Sequence, residues 1–187
     1  MTLPDYLRKS MAVIEATMQT NAMIQTEKAI DAITAAFRAH KILLVCGNGG
    51  SASDSLHIAG ELVGRFLKER PALKCLALSS NPAVLTAWAN DYSYETVFSR
   101  QVEAFGESGG VLLGISTSGN SANVLQAMAE AKKKGMITIG LTGEGGGKMK
   151  QGCDILIDVA SKETPMIQQV HICLYHYLCQ KVEENLM

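Results

Sequence analysis

The sequence has no surplus of either charge: 17 Lys and Arg stand against 18 Asp and Glu over 187 residues. That balance excludes the electrostatic footprint of a DNA- or RNA-binding protein. Aromatic residues make up only 5%, too few for a base-stacking platform. No apolar run approaches the roughly 20 residues that cross a bilayer. The first ten residues carry Asp5, Arg8 and Lys9 where a signal peptide would have an uninterrupted apolar core. Cysteine occurs five times, an odd number, without CxxC spacing, at Cys46, Cys75, Cys153, Cys173 and Cys179, each beside apolar neighbours. Reduced, packed thiols in a cytoplasmic protein are therefore expected. The length suits one domain able to bury a sizeable core.

Glycine is missing from residues 3–39, and the only proline there is Pro4, near a helix start. Two consecutive helices are expected, with a break near Thr20–Gln25. Leu7, Met11, Ile14 and Met18 recur at three or four residues in the first, and Ile24, Ile30, Ile33 and Phe37 do much the same in the second. No strand precedes them, so they need a partner surface. A helical bundle with other subunits and the chain's own sheet are both open.

From Lys41 the rhythm changes. Apolar runs at 42–46, 73–78, 111–115, 136–141 and 154–159 alternate with helical stretches at 52–69, 82–105, 121–134 and 163–185. Buried strands joined by helices mean an α/β fold, a parallel sheet covered on both faces, with right-handed crossovers. Residues 143–147 (Gly-Glu-Gly-Gly-Gly) read as a mobile loop whose glycines alone imply no ligand.

The stretch 41–61 is the most informative. Strand 42–46 runs into Gly47, Asn48, Gly49 and Gly50, then into Ser51, a natural N-cap with Asp54 three residues on. Strand, glycine turn and helix N-terminus aim several N–H groups at one point, an anion site most often used for phosphate. His57 and Glu61 follow, spaced i, i+4 on one helix face, within about 20 Å of that turn. A His/Glu pair at this spacing is commonly only a local hydrogen bond. Its position just after an anion turn points instead to acid–base or metal chemistry.

A second loop, Ser116, Thr117, Ser118, Gly119, Asn120 and Ser121, follows strand 111–115. Hydroxyls at a strand's carboxyl end before a helix suit a phosphomonoester. Gly47, Gly49 and Ala52 also fit G-x-G-x-x-A. A dinucleotide site, however, wants an acidic residue at the next strand's end, where Leu78, Ser79, Ser80 and Asn81 stand. No nucleotide is expected. The last helix, with Thr164 as N-cap and Pro165 at its first position, adds Gln168, His171 and His176 among apolar neighbours. For any one of these polar side chains, a structural hydrogen bond is the default.

The segment from Cys46 to Ser51, His57-x-x-x-Glu61, Asn90-Asp91, the segment from Gly114 to Ser121, and the segment from Ile167 to His171 with His176 together resemble the phosphoheptose isomerase family of the sugar isomerase (SIS) superfamily. The resemblance runs nearly the whole chain. It implies a three-layer αβα sandwich with a flavodoxin-like five-stranded parallel sheet, the N-terminal helices serving oligomerisation. It also implies a substrate site of Asn48, Gly49, Gly50, Ser51, Asn90, Asp91, Ser116, Thr117, Ser118, Ser121 and Gln168. A zinc ion would be held by His57, Glu61, Gln168 and His176, and Glu61 and His176 would form the acid–base pair. The implied reaction converts sedoheptulose 7-phosphate to D-glycero-D-manno-heptose 7-phosphate in a cytoplasmic homotetramer, the first step towards bacterial heptose. Where relatives often carry Arg before Ile167, this chain has Met166, and Pro165 replaces an acidic residue of some members. Two rivals stay open. One is a SIS protein that only binds a protein partner, a type that lacks the Glu and second His kept here. The other is an isomerase of a different sugar phosphate.

Overall fold

At the N-terminus of α1 (Leu3–Met18), the Asp5 carboxylate accepts the Thr2 N–H and the Thr2 hydroxyl accepts the Asp5 N–H, a complete capping box with Pro4 in the first turn. The computed structural model describes all residues 1–187. After α1 come α2 (Ala22–Arg38), β1 (Leu43–Gly47), α3 (Gly50–Val63), β2 (Cys75–Ala77), α4 (Pro82–Asp91), α5 (Val97–Phe105) and β3 (Val111–Ser116). The chain ends with α6 (Ala122–Lys133), β4 (Ile137–Thr142), α7 (Met149–Gly152), β5 (Ile155–Asp158) and α8 (Thr164–Asn185).

The five strands form one all-parallel sheet in the order β2-β1-β3-β4-β5. This is the expected flavodoxin-like sheet, with the order reversing between β1 and β3. Alternate residues of the central strands β1 and β3 feed two cores. Leu43, Val45, Leu113, Ile115, Ile139 and Leu141 face Ile30, Ile33, Ile58, Leu62, Leu178 and Cys179, which belong to α2, α3 and α8. Leu44, Cys46 and Leu112 face Val97, Phe98, Val102, Val124 and Met128 of α5 and α6. The three layers follow from strands that are apolar on both faces.

The two N-terminal helices part company. Ile30 and Ile33 of α2 are buried under the chain's own sheet. In contrast, Leu3, Leu7, Met11 and Met18 of α1, and Ile24 at the start of α2, stay exposed. Helix α1 holds to the body through Val13 and Ile14, which pack towards Ile167 and Val170 of α8. Met166 is buried, with its sulfur 3.6 Å from Ser10 Oγ of α1, so it belongs to this seam.

Several expected boundaries shift, each for a visible reason. The N-cap expected at Ser51 lies at Gly49, because Gly49 takes φ of 55° and the helix begins two residues earlier. Asp54 makes no capping contact and is buried deeper in the helix. The stretch 52–69 ceases to be helical at Val63. There the buried Glu183 carboxylate of α8 accepts the N–H groups of Phe66, Leu67 and Lys68 and pairs with Arg70 at 3.2 Å. The single helix expected over 82–105 breaks after Asp91. Tyr92 turns back to stack on Trp88 at 4.1 Å, and the Trp88 indole N–H donates to Thr96 Oγ1 of the 3-10 turn Tyr94–Thr96. At α8 the cap is Glu163, with Thr164 and Pro165 in the first turn. The thiols are all free, but the expectation of packing fails for Cys173, which is exposed.

The expectation of a mobile loop at 143–147 meets a stitched segment. The Gly143 N–H donates to Thr117 O at 3.0 Å, Glu144 N–H to Ser161 O at 2.9 Å and Met149 N–H to Gly119 O at 3.0 Å. A Cβ on Gly119 would collide with the Gly146 carbonyl. The glycines thus serve close backbone approach beneath the Ser116–Ser121 loop.

Glu183 anchors residues 66–70 with a carboxyl held below the usual glutamate range; burial opposes this, and the three backbone donors and Arg70 outweigh it. A depressed folded pKa contributes stability that is full above the unfolded value and lost as acid titrates the folded group. Glu183→Ala, which leaves Arg70 buried and unpaired, should lower stability by about 3 kcal/mol at neutral pH, read by urea unfolding. The deficit relative to the parent protein should shrink as pH falls below the usual glutamate range.

Candidate active site

Strands β1 and β3 are neighbours in register, Gly47 opposite Ile115. Beyond them the chain turns into α3 on one face of the sheet and α6 on the other, opening a crevice at the switch point. The glycine turn at 47–50 and the Ser116–Ser121 loop, both expected to hold phosphate, lie at this crevice. In the first, Gly47 admits the returning backbone of Ser51, which a Cβ would strike. The Ser51 N–H bonds to Asn48 O and the Ala52 N–H to Gly49 O, while the N–H groups of Asn48, Gly49 and Gly50 make no intramolecular bond. Three consecutive free donors at the positive end of a 14-residue helix form an anion nest. In the second loop, the Ser116 and Ser121 hydroxyls are 2.9 Å apart, and the Ser118 hydroxyl accepts the Asn120 N–H at 3.1 Å. Gly119, with φ of 65°, makes the bend.

About two to three turns along α3 stands the second half of the site. Glu61 Oε1 lies 3.1 Å from His57 Nε2, and His176 Nε2 of α8 lies 3.5 Å from the same atom. Ligand atoms of His57, Glu61 and His176 all fall within 4.8 Å of one another. Two imidazole nitrogens and a carboxylate oxygen converging this closely fit a divalent transition metal such as zinc. The other nitrogen of His57 is also engaged: Nδ1 lies 2.9 Å from the Tyr175 hydroxyl, itself 3.5 Å from Asp54 Oδ1. When Nδ1 carries the proton it donates to the Tyr175 oxygen, Tyr175 donates to Asp54, and the Nε2 lone pair is left for the cluster. Burial and the Asp54 carboxylate raise the Tyr175 phenol, keeping it a donor. Burial raises the Asp54 carboxyl too, opposed by the Tyr175 hydrogen bond and the His57 charge. Phe66 covers His176 at 5.8 Å between rings.

Gln168 and His176 are separated along α8 as their eight-residue spacing requires. Helices α3 and α8 run side by side, so that the Gln168 amide packs on Gly50, where a Cβ would collide with Nε2, while His176 meets His57. Asn90 and Asp91 are exposed at the end of α4, with the Asn90 amide donating to Asp91 at 2.8 Å. Their segment reaches the anion turn through Tyr94, whose hydroxyl donates to Asn48 Oδ1 at 2.9 Å. His171 is fully buried and bonded to Thr142 O at 3.1 Å, the structural role expected by default. Sequence reasoning passed over Tyr175 and Asn123. Tyr175 reads as one more apolar residue of α8, and Asn123, whose amide pairs with Asn48, hides inside α6. Only its closeness to the second loop was a signal.

Residues 5–143 match the SIS domain family. Curated phosphoheptose isomerases from Crocosphaera subtropica and Rhodospirillum rubrum are 52% and 54% identical to this chain, over 86% and 85% of it and 82% and 85% of their own lengths. The chain belongs to the phosphoheptose isomerase family. A solved structure of the Neisseria gonorrhoeae phosphoheptose isomerase superposes with a TM-score of 0.92 at 36% identity, covering 97% of both chains. The αβα sandwich and the class of enzyme, a sugar isomerase, follow from that membership.

Burial pushes the His171 imidazole down to about 4. A histidine depressed in the fold stays neutral at pH 5, and unfolding at that pH takes up a proton, so this stabilisation is lost as pH falls from about 6.5 through about 4. An NMR titration should leave the His171 ring signals in the neutral form at pH 5. A midpoint near 6.5 would contradict the burial.

Proposed function

We propose that the chain interconverts sedoheptulose 7-phosphate and D-glycero-D-manno-heptose 7-phosphate by proton transfer through a cis-enediol. The observation that carries this reading is the convergence of His57, Glu61 and His176 about two to three helical turns from a group of free N–H donors. Seven residues of α3 separate Gly50 from His57, about 10 Å at the helical rise. A seven-carbon sugar extends across that gap with its phosphate at the N-terminus and its C1 and C2 at the histidines. The phosphate is held by the N–H groups of Asn48, Gly49 and Gly50, by Ser51, and by Ser116, Thr117, Ser118 and Ser121. Asn90, Asp91 and Gln168 complete the enclosure of the sugar chain.

Glu61 is the base. Its Oε1 faces His57, leaving Oε2 to take the proton from C1 and return it to C2 on the same face of the enediol. His176 moves the second proton from O1 to O2, a task suited to an imidazole near neutral pH. His57, Glu61 and His176 would hold one zinc ion, which when bound supplies Lewis-acid polarisation of the substrate oxygens. Gln168, expected as a fourth ligand, packs instead on Gly50 at the glycine turn, because its eight-residue spacing from His176 sets it at the other end of the α3–α8 seam. Tyr175 and Asp54 set the tautomer of His57. The exposed face of α1, Leu3, Leu7, Met11 and Met18, supports assembly into a homotetramer, with no nucleic acid or membrane partner. Cytoplasmic location fits the free thiols and a soluble phosphorylated substrate.

Purified protein incubated with sedoheptulose 7-phosphate should form the heptose product, and prior chelation should slow it. No turnover under metal-replete conditions would overturn the reading in favour of a binding protein. Glu61→Gln should abolish solvent-deuterium incorporation at C1 while leaving phosphate affinity nearly intact. Tyr175→Phe should weaken zinc about tenfold, within the range for loss of an outer-sphere partner, measured by competition with a chromophoric chelator.

A further inference from the structure

The crevice between β1 and β3 raises a mechanical question, since the two loops that flank it leave the sheet towards opposite faces. Their last ladder pair is Gly47 with Ile115. Across the gap beyond it, Asn48 Nδ2 donates to Asn123 Oδ1 at 2.9 Å and Asn123 Nδ2 donates to Asn48 Oδ1 at 2.8 Å, a reciprocal amide pair. The pair is saturated on its acceptor side. Asn48 Oδ1 also takes the Tyr94 hydroxyl at 2.9 Å, and Asn123 Oδ1 takes the Val124 N–H at 3.0 Å. Each amide oxygen has two lone pairs, so both are used, and each nitrogen keeps one N–H. Asn123 is 3% exposed, so its amide works in a site where an unpaired polar group is costly and a paired one is stiff.

We propose that Asn123 is a positioning residue of the isomerase. Through Asn48 it sets the separation of the two anion loops, and through the Tyr94 hydroxyl the same joint ties the segment after Asn90 and Asp91 to the anion turn. This rests on reading the loops as the phosphate site. A phosphate bridging donors on α3 and on the Ser116–Ser121 loop requires a fixed gap, and the amide pair is what spans that gap beyond the last strand pair. The Asn48 side chain then acts mainly as the far half of the joint.

The test compares Asn123→Ala, Asn48→Ala, the double variant and Tyr94→Phe, using inorganic phosphate by calorimetry and sedoheptulose 7-phosphate kinetics. Asn123→Ala should raise the phosphate Kd and the KM about tenfold, the size of one buried hydrogen-bonded pair, while kcat changes by less than about threefold. Asn48→Ala should match it in phosphate affinity. The double variant should lose no more than about the larger single effect, because each single variant already breaks the joint. Tyr94→Phe, which touches only an exposed hydroxyl, should raise the phosphate Kd about threefold with an unchanged unfolding midpoint. It keeps the proposal falsifiable if the buried variants fold poorly. Wild-type phosphate affinity in Asn123→Ala and Tyr94→Phe overturns the proposal, as does a multiplicative, roughly hundredfold loss in the double variant, which means independent contacts. Failure of the parent protein to bind phosphate while still turning over the sugar overturns the reading of the loops, and the proposal with it.

Discussion

A parallel sheet whose strand order reverses between β1 and β3 must send the chain to opposite faces after those two strands. Everything functional in this molecule depends on that parting. Two backbones that had been exchanging ladder bonds up to Gly47 and Ile115 separate, and after β1 the N–H groups of Asn48, Gly49 and Gly50 have no strand to pair with. In a buried loop, unpaired donors would be a cost. At an open crevice beside a helix N-terminus such donors suit an anion, which is the role proposed for them. The glycines at 47, 49 and 119 let the backbone turn tightly enough to place those donors, and the stitched loop at 143–147 supports the second turn from below.

The other half of the site comes from two helices that pack side by side. Helix α8 follows α3 along one seam: Gln168 lies against Gly50, His176 against His57, and Glu183 gathers the segment that leaves α3. The seam places anion donors at one end and the His/Glu/His group further along, so the distance between them is that of a rigid helix. Glu183 and Arg70 keep the chain after Val63 from continuing as helix, and Phe66 is thereby laid over His176. Tyr175 and Asp54 fill the same seam between these levels, which explains a polar pair inside an otherwise apolar interface.

The amino-terminal helices show how one pattern serves two ends. Both repeat apolar residues at helical spacing, yet α2 buries Ile30 and Ile33 beneath the sheet while α1 leaves Leu3, Leu7 and Met11 facing outward. An amphipathic stripe states that a helix will be covered on one side; it does not say by what. For α2 the cover is the chain's own sheet. For α1 the attached side is Val13 and Ile14, and the stripe beyond them is surface on this chain.

Local chemistry in the sequence determined a great deal: the five parallel strands, the glycine turn at 47–51, the hydroxyl-rich loop at 116–121, and the His57–Glu61 pair. These are readable because apolar runs, glycine turns and i, i+4 spacing act over a few residues. What completes the site joins residues more than seventy positions apart. Asn48 with Asn123, His57 with Tyr175 and His176, and Glu183 with residues 66–70 meet only because β1 and β3 are neighbours and α8 returns along α3. Two boundaries were missed for local reasons: Gly49 adopts a positive φ and takes the cap expected at Ser51, and the Trp88–Tyr92 stack with the Trp88–Thr96 bond ends the helix at Asp91. Propensity contributes tenths of a kcal/mol per residue and is overruled wherever buried contacts contribute more. The type of chemistry was therefore written locally, and the partners that orient it were decided by how the strands and helices pack.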